Sequence, residues 1–180
     1  MTARTVSILP GCDRAQASED DTVTTEAHAR RIDSASRVIR ASPQALYRAF
    51  LDPASLVAWL PPSGMKAEIQ RFEPSEGGTY RMVLRYEGAE HTPGKSSEDS
   101  DVVEGRFVEL VPNVRVVQEI DFESNDPAFV GPMRMTWSLA PVATGTEVGI
   151  ACENVPDGIA KEDHAMGLTS SLENLAAFVE

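Results

Sequence analysis

Few side chains in this sequence could act on a bound molecule, and their types restrict the chemistry to proton exchange and hydrogen bonding. Three are histidines: His28, His91 and His164. An imidazole changes charge near neutral pH and can serve as general acid or base. His28 falls in a polar N-terminal stretch and His91 in a polar segment between strands, whereas His164 stands near the start of the last helical pattern. The plainer reading of His164 is a surface or helix-capping residue. The other is Gln118, an amide at an otherwise apolar alternating position. Buried, it needs partners: the hydroxyl of Tyr80 or Tyr86, or the polar group of a ligand.

Other chemistries lack their signatures. Glu98, Asp99, Asp101 and Glu104 form an acidic run without the glycine and ligand order of a calcium loop, and read as a solvated loop. Cys12 and Cys152 stand far apart and outside any CxxC pair, which argues against structural zinc and fits a reducing compartment. No phosphate-cradling glycine loop, nucleophile elbow or triad signature is present. The sequence therefore predicts no catalytic set, no metal and no cofactor.

These residues must be positioned by a folded domain expected from residue 35 to 180, after a polar N-terminal tail over 1–34 that is expected to be flexible. In that tail Val23 and Ile32 are the only large aliphatics between Gly11 and Asp33, too few to offset the entropy of ordering it. A short strand is predicted over Ser36–Ala41. Ser42-Pro43 and Asp52-Pro53 each open a brief helix, with a capping side chain followed by proline at the first helical position. Pro61-Pro62 stop the second. The period then becomes two. Tyr80, Met82, Leu84 and Tyr86 share one face; so do Val116, Gln118, Ile120 and Phe122, then Met133, Met135, Trp137 and Leu139, then Val148, Ile150 and Cys152. One greasy and one polar face per strand describe a one-sided antiparallel sheet. Weaker strands are expected over Ala67–Glu73 and Val102–Leu110, with a polar, mobile loop over Gly88–Ser100. A final helix carries Ala165, Leu168, Leu172, Leu175 and Val179 on one face.

Size then matters. About seven strands at roughly 4.8 Å spacing make a sheet about 34 Å wide, while one helix is only about 10–12 Å across. The sheet must curl around the helix, the short helices must plug one end, and space should remain between them. The fold class is α+β: a curved antiparallel sheet gripping a long C-terminal helix.

Composition narrows the partners. Sixteen basic against 28 acidic residues leave a net charge of −12. Such a chain is unsuited to phosphate backbones or anionic membranes, so no nucleic acid is expected. No apolar run approaches the length of a membrane span, so no membrane insertion is expected either. The expected location is cytoplasmic.

The element order, with Trp59-Leu60-Pro61-Pro62-Ser63-Gly64, Gly77-Gly78-Thr79-Tyr80-Arg81 and Gly105-Arg106-Phe107-Val108-Glu109-Leu110 before Pro112, resembles the START-like, helix-grip (SRPBCC) superfamily. Within it, the chain is similar to bacterial proteins akin to the C-terminal domain of the activator of heat-shock-protein-90 ATPase. The resemblance spans about Ser36 to Glu180. Members of that group often carry Gly-Trp early in the last helix, where this chain has Gly167-Leu168. The resemblance implies a hydrophobic-ligand or partner-binding module but no single chemistry, since members range from carriers to cyclases and chaperone cofactors.

The function expected is that of a binding protein for a small hydrophobic or amphipathic ligand. The expected lining is Trp59, Tyr80, Met82, Leu84, Phe107, Gln118, Ile120, Met135, Trp137, Ile150, His164 and Leu168, with Trp59 equally readable as a helix-end core anchor. Two rivals stand beside it. One is a cyclase- or hydratase-like enzyme on an aromatic or polyketide substrate, with Gln118, Tyr80 or His164 steering protons. The other is an interaction module of the chaperone-activator kind. Self-association as a homodimer and a protein partner both stay open.

Overall fold

The computed structural model describes residues 31–87 and 95–180. Most of the polar N-terminal stretch and the tip of the Gly88–Ser100 loop, with His28, His91 and Cys12, lie outside the described residues, as do the expectations of flexibility attached to them.

Seven strands form one antiparallel sheet: β1 (Ile32–Ile39), β2 (Met65–Phe72), β3 (Thr79–Tyr86), β4 (Ser100–Val111), β5 (Arg115–Phe122), β6 (Met133–Val142) and β7 (Gly145–Glu153). Their order across the sheet is β1-β7-β6-β5-β4-β3-β2, a meander whose last strand pairs with the first. Helices α1 (Pro43–Leu51) and α2 (Pro53–Trp59) follow β1, and α3 (Lys161–Val179) closes the chain. The fold is α+β of the helix-grip kind.

Local chemistry accounts for the elements. The Ser42 side chain accepts from the Ala45 amide at 3.2 Å and the Asp52 carboxylate from the Ser55 amide at 2.8 Å, each before a proline at the first turn. Pro61 and Pro62 end the helical path, and carbonyls left over there are satisfied by α3. Ser171 Oγ donates to the Leu60 carbonyl at 2.9 Å and Asn174 Nδ2 to that of Pro61 at 2.7 Å. Asn113 supplies a left-handed residue (φ 64°) at the Pro112-Asn113 turn between β4 and β5.

The outer sheet face is polar because arginines and glutamates alternate with the core residues. Arg81 faces Glu104, Arg106 faces Glu119, and Glu119 faces Arg134 directly across neighbouring strands. Arg81 pairs with Glu104 and with Glu123 (2.7 Å), and Arg106 with Glu119 (2.5 Å). Opposite charges at these positions favour this register over a one-residue slip. Register shifts between Ile69 and Arg71 on β2 and between Phe107 and Glu109 on β4 mark bulges. These bend and twist their strands, adding a local source of curvature to the need to grip a helix.

Three boundaries differ from the sequence reading. β1 begins at Ile32, so Ile32, Asp33 and Ser34 belong to the sheet, pairing with Glu153, Cys152 and Ala151. β4 begins at Ser100, two residues early, and so takes in Asp101. On α3 the buried residues are Leu168, Ser171, Leu172, Leu175 and Ala176, while Ala165 is exposed. Only the middle and end of the helix press on the sheet. Its first turns overhang.

Candidate functional site

The concave side of the sheet is filled unevenly. At the end covered by α1 and α2, three aromatic rings close the space. Phe50 lies 4.9 Å from Trp59, Trp59 lies 5.5 Å from Trp137, and Phe50 lies 5.0 Å from Trp137, all centroid to centroid. The Trp59 indole N–H donates to the Ala49 carbonyl at 3.0 Å. At the other end, under the overhanging start of α3, a cavity of about 530 Å³ remains between β3–β6, α3 and the segment after α2.

Of the expected lining, Tyr80, Met82, Leu84, Gln118, Ile120, Met135, His164 and Leu168 do border this cavity. Trp59, Phe107, Trp137 and Ile150 do not. Trp59 and Trp137 belong to the aromatic plug; Phe107 packs on Phe72 and Tyr80 (5.7 and 5.4 Å); Ile150 is buried on β7. Alternation places Trp137 on the concave face, but Phe50 of α1 and Trp59 of α2 cover it there.

Sequence reasoning missed several lining residues: Leu60, Met65, Tyr86, Phe122, Met133, Met166 and, above all, Asp101 with Lys95. Asp101, expected in a solvated loop, is instead 2% exposed. Its carboxylate accepts from the Lys95 backbone amide at 2.5 Å, from Lys95 Nζ at 2.6 Å and from the Tyr86 hydroxyl at 3.3 Å. Lys95 Nζ also stands 5.0 Å from the centre of the Phe122 ring. Burial, then the nearby Asp101 charge, push the Tyr86 phenol up to about 12. The signal was available: Asp101 is in phase with the inward Val103 and Phe107 once the strand is extended two residues. Lys95 had no such signal.

A second polar group sits at the mouth. His164 Nδ1 is 2.7 Å from Asp33 Oδ2. Arg31 grips the same carboxylate through Nε (3.1 Å) and Nη2 (2.5 Å), and its Nη1 donates to the Ile159 carbonyl at 2.6 Å. The hydrogen bonds from Arg31 hold the Asp33 carboxyl below its ordinary value of 3.8 against the opposing effect of burial, with His164 helping. A carboxyl depressed by folding stabilises the folded state fully above its unfolded value and loses that contribution as pH falls through the folded one. Acid unfolding followed by circular dichroism should therefore show Asp33→Asn with a flatter loss of stability below about pH 4 than the parent. An unchanged acid limb would mean that the Arg31 contacts do not persist in solution.

Between the two polar groups lie the Gln118 amide and the Tyr80 hydroxyl; the Tyr86 hydroxyl donates to Asp101, and no hydrogen bond among the described residues makes the expected Gln118–tyrosine pairing. Burial alone raises the Tyr80 phenol well above its usual range. Cys152, on β7 and paired with Asp33 of β1, is buried, and burial pushes its thiol up to about 12. Among the described residues, no group of three or more His, Cys, Asp or Glu could hold a metal ion. No helix among them is long and apolar enough to cross a membrane.

Comparison with known proteins places this geometry. The sequence profile of activator of Hsp90 ATPase homolog 1-like proteins matches residues 40–180. A solved structure from Chromobacterium violaceum is similar at 33% identity and a TM-score of 0.72, over 83% of this chain and 98% of that one. One from Rhodobacter sphaeroides is similar at 25% identity and 0.63, over 80% and 89%. The AHSA1-like protein from Aeromonas hydrophila, at 15% identity and 0.62 over 83% and 92%, shares the fold. No curated protein matches significantly.

Proposed function

We propose, from the premise that this chain belongs to the family of activator of Hsp90 ATPase homolog 1-like proteins, that it is a cytoplasmic binding protein for a small hydrophobic or amphipathic ligand. The ligand lies between the concave sheet and the first turns of α3. The observation that carries the reading is the cavity of about 530 Å³, walled mainly by aliphatic, aromatic and thioether side chains. That is within the range of small-molecule sites, about 300–1,000 Å³. Affinity comes from apolar burial, at about 25 cal/mol per Å² before the costs of association. Orientation comes from polar groups at the wall: Gln118, Tyr80, Asp101 with Lys95, and His164. A net charge of −12 argues against nucleic-acid partners.

Thermal-shift and native mass spectrometry screens with lipids and aromatic metabolites test the reading. A ligand at a hundred times its Kd adds about 2.7 kcal/mol to stability. Met135→Trp, which places an indole in the cavity, should abolish most of that shift while leaving a cooperative unfolding transition. Failure of every lipid and aromatic compound to shift the parent protein would overturn the proposal.

One observation favours a second reading, the cyclase- or hydratase-like enzyme: two groups able to move protons, His164 and Asp101, border one cavity. It requires turnover that disappears when either is replaced. Aromatic and polyketide compounds that bind and are recovered unchanged exclude it.

A further inference from the structure

We propose that His164 is the hydrogen-bond acceptor for a phenolic hydroxyl, so that the cavity's ligand is an aromatic compound bearing an acidic O–H. The inference rests on the cavity-binding reading above and specifies the ligand it takes.

Two independent observations meet in it. The first is the fixed tautomer of His164. Asp33, gripped by Arg31 on both oxygens, is a carboxylate that can only accept, so the 2.7 Å contact is His164 Nδ1–H donating to Asp33 Oδ2. A neutral imidazole has one N–H, which leaves Nε2 with a lone pair. Nε2 has no partner among the described residues, on a side chain that borders the cavity and is 11% exposed. The charge of Asp33 is already answered by Arg31, so its bond to His164 serves to fix the ring's tautomer and orientation. Arg31 is itself anchored on the Ile159 carbonyl, just before α3, which sets the group between β1 and the helix start.

The second is the wall. Every methionine after Met1 borders this cavity: Met65, Met82, Met133, Met135 and Met166. Polarizable thioethers favour aromatic rings and adapt to flat shapes. An aromatic body against that wall, with a hydroxyl at His164, satisfies both observations. In the bound state the ligand O–H donates to Nε2. If the proton transfers, the ligand oxygen keeps the bonding pair, and the resulting imidazolium lies between Asp33 and the phenolate.

The probes are 2-naphthol and 2-methoxynaphthalene, which differ by a donor, with binding measured by calorimetry. The protein should bind 2-naphthol about tenfold more tightly. His164→Phe should erase that preference, bringing the affinities for the two probes to a ratio near one. Asp33→Asn should weaken the preference, because its amide can donate to Nδ1 and turn Nε2 into a donor. A purely structural staple between β1 and α3 would instead lower Tm in both variants with the ratio unchanged. Nitrogen NMR of the unsubstituted protein needs no variant to fold: the His164 Nε2 resonance should move with 2-naphthol and not with 2-methoxynaphthalene. Equal affinity for the two probes, or a preference that survives His164→Phe, overturns the assignment and leaves the cavity reading intact. Binding of neither probe overturns the assignment, and the cavity reading falls with it only if every lipid and aromatic compound of the wider screen fails as well.

Discussion

Replacing Trp137 with alanine is expected to cost about 3–5 kcal/mol of folding stability, the largest loss from any single side chain on the concave face. Trp137 is 1% exposed and meets Phe50 at 5.0 Å and Trp59 at 5.5 Å. Tilted and edge-to-face ring pairs contribute about 0.5–1.5 kcal/mol each beyond their burial. Truncation removes both pairs and leaves a void among residues from β6, α1 and α2 that cannot all move at once. A typical domain has only about 5–15 kcal/mol in total, so the variant should unfold at far lower urea than the parent. Ligand affinity, measured where it remains folded, should change little, because the plug and the cavity are different parts of the interior. A loss below about 1 kcal/mol together with weakened ligand binding would instead mean that Trp137 is cavity wall.

Gly105→Ala should be nearly as damaging, by the opposite mechanism. Gly105 faces Tyr80 across the β3–β4 pair, and a methyl group there would lie 2.0 Å from Tyr80 Cζ. Glycine inside a strand often marks such a close approach. The Tyr80 ring is 2% exposed and has Phe72 and Phe107 beside it, so the space open to it is the cavity. The expected outcome is an overpacking loss of about 1–3 kcal/mol, together with loss of ligand binding as the ring swings inward. Adding Tyr80→Ala to the same chain should recover part of the stability, a non-additivity expected of residues in contact. Undiminished ligand binding by a folded Gly105→Ala protein would show that the ring escapes elsewhere.

These two expectations divide the concave face into a plug that holds the fold and a hollow that receives a ligand. The division was not legible in the chain. Period-two alternation states which face a side chain takes, and it did so correctly for Tyr80, Met82, Gln118, Ile120 and Trp137. It says nothing about what lies above that face. Trp137 and Met135 are two residues apart with the same alternation, yet one packs under α1 and α2 and the other borders the cavity. The choice depends on where two short helices land.

What the sequence determined by itself is local: capped and proline-opened helices, strand faces, the Pro61-Pro62 stop, the turn at Asn113 and thereby the helix-grip class. Each of these is set by neighbours within a few residues, through sterics, capping bonds and periodicity. What only the tertiary structure decided is which polar groups meet. Asp33 and His164 are 131 residues apart, and no local pattern marks either as the other's partner. Lys95 reaches Asp101 only because the chain before β4 folds back over the cavity. Charges are brought together by chain closure, and closure is a property of the whole sheet wrapped on its helix, not of any segment within it.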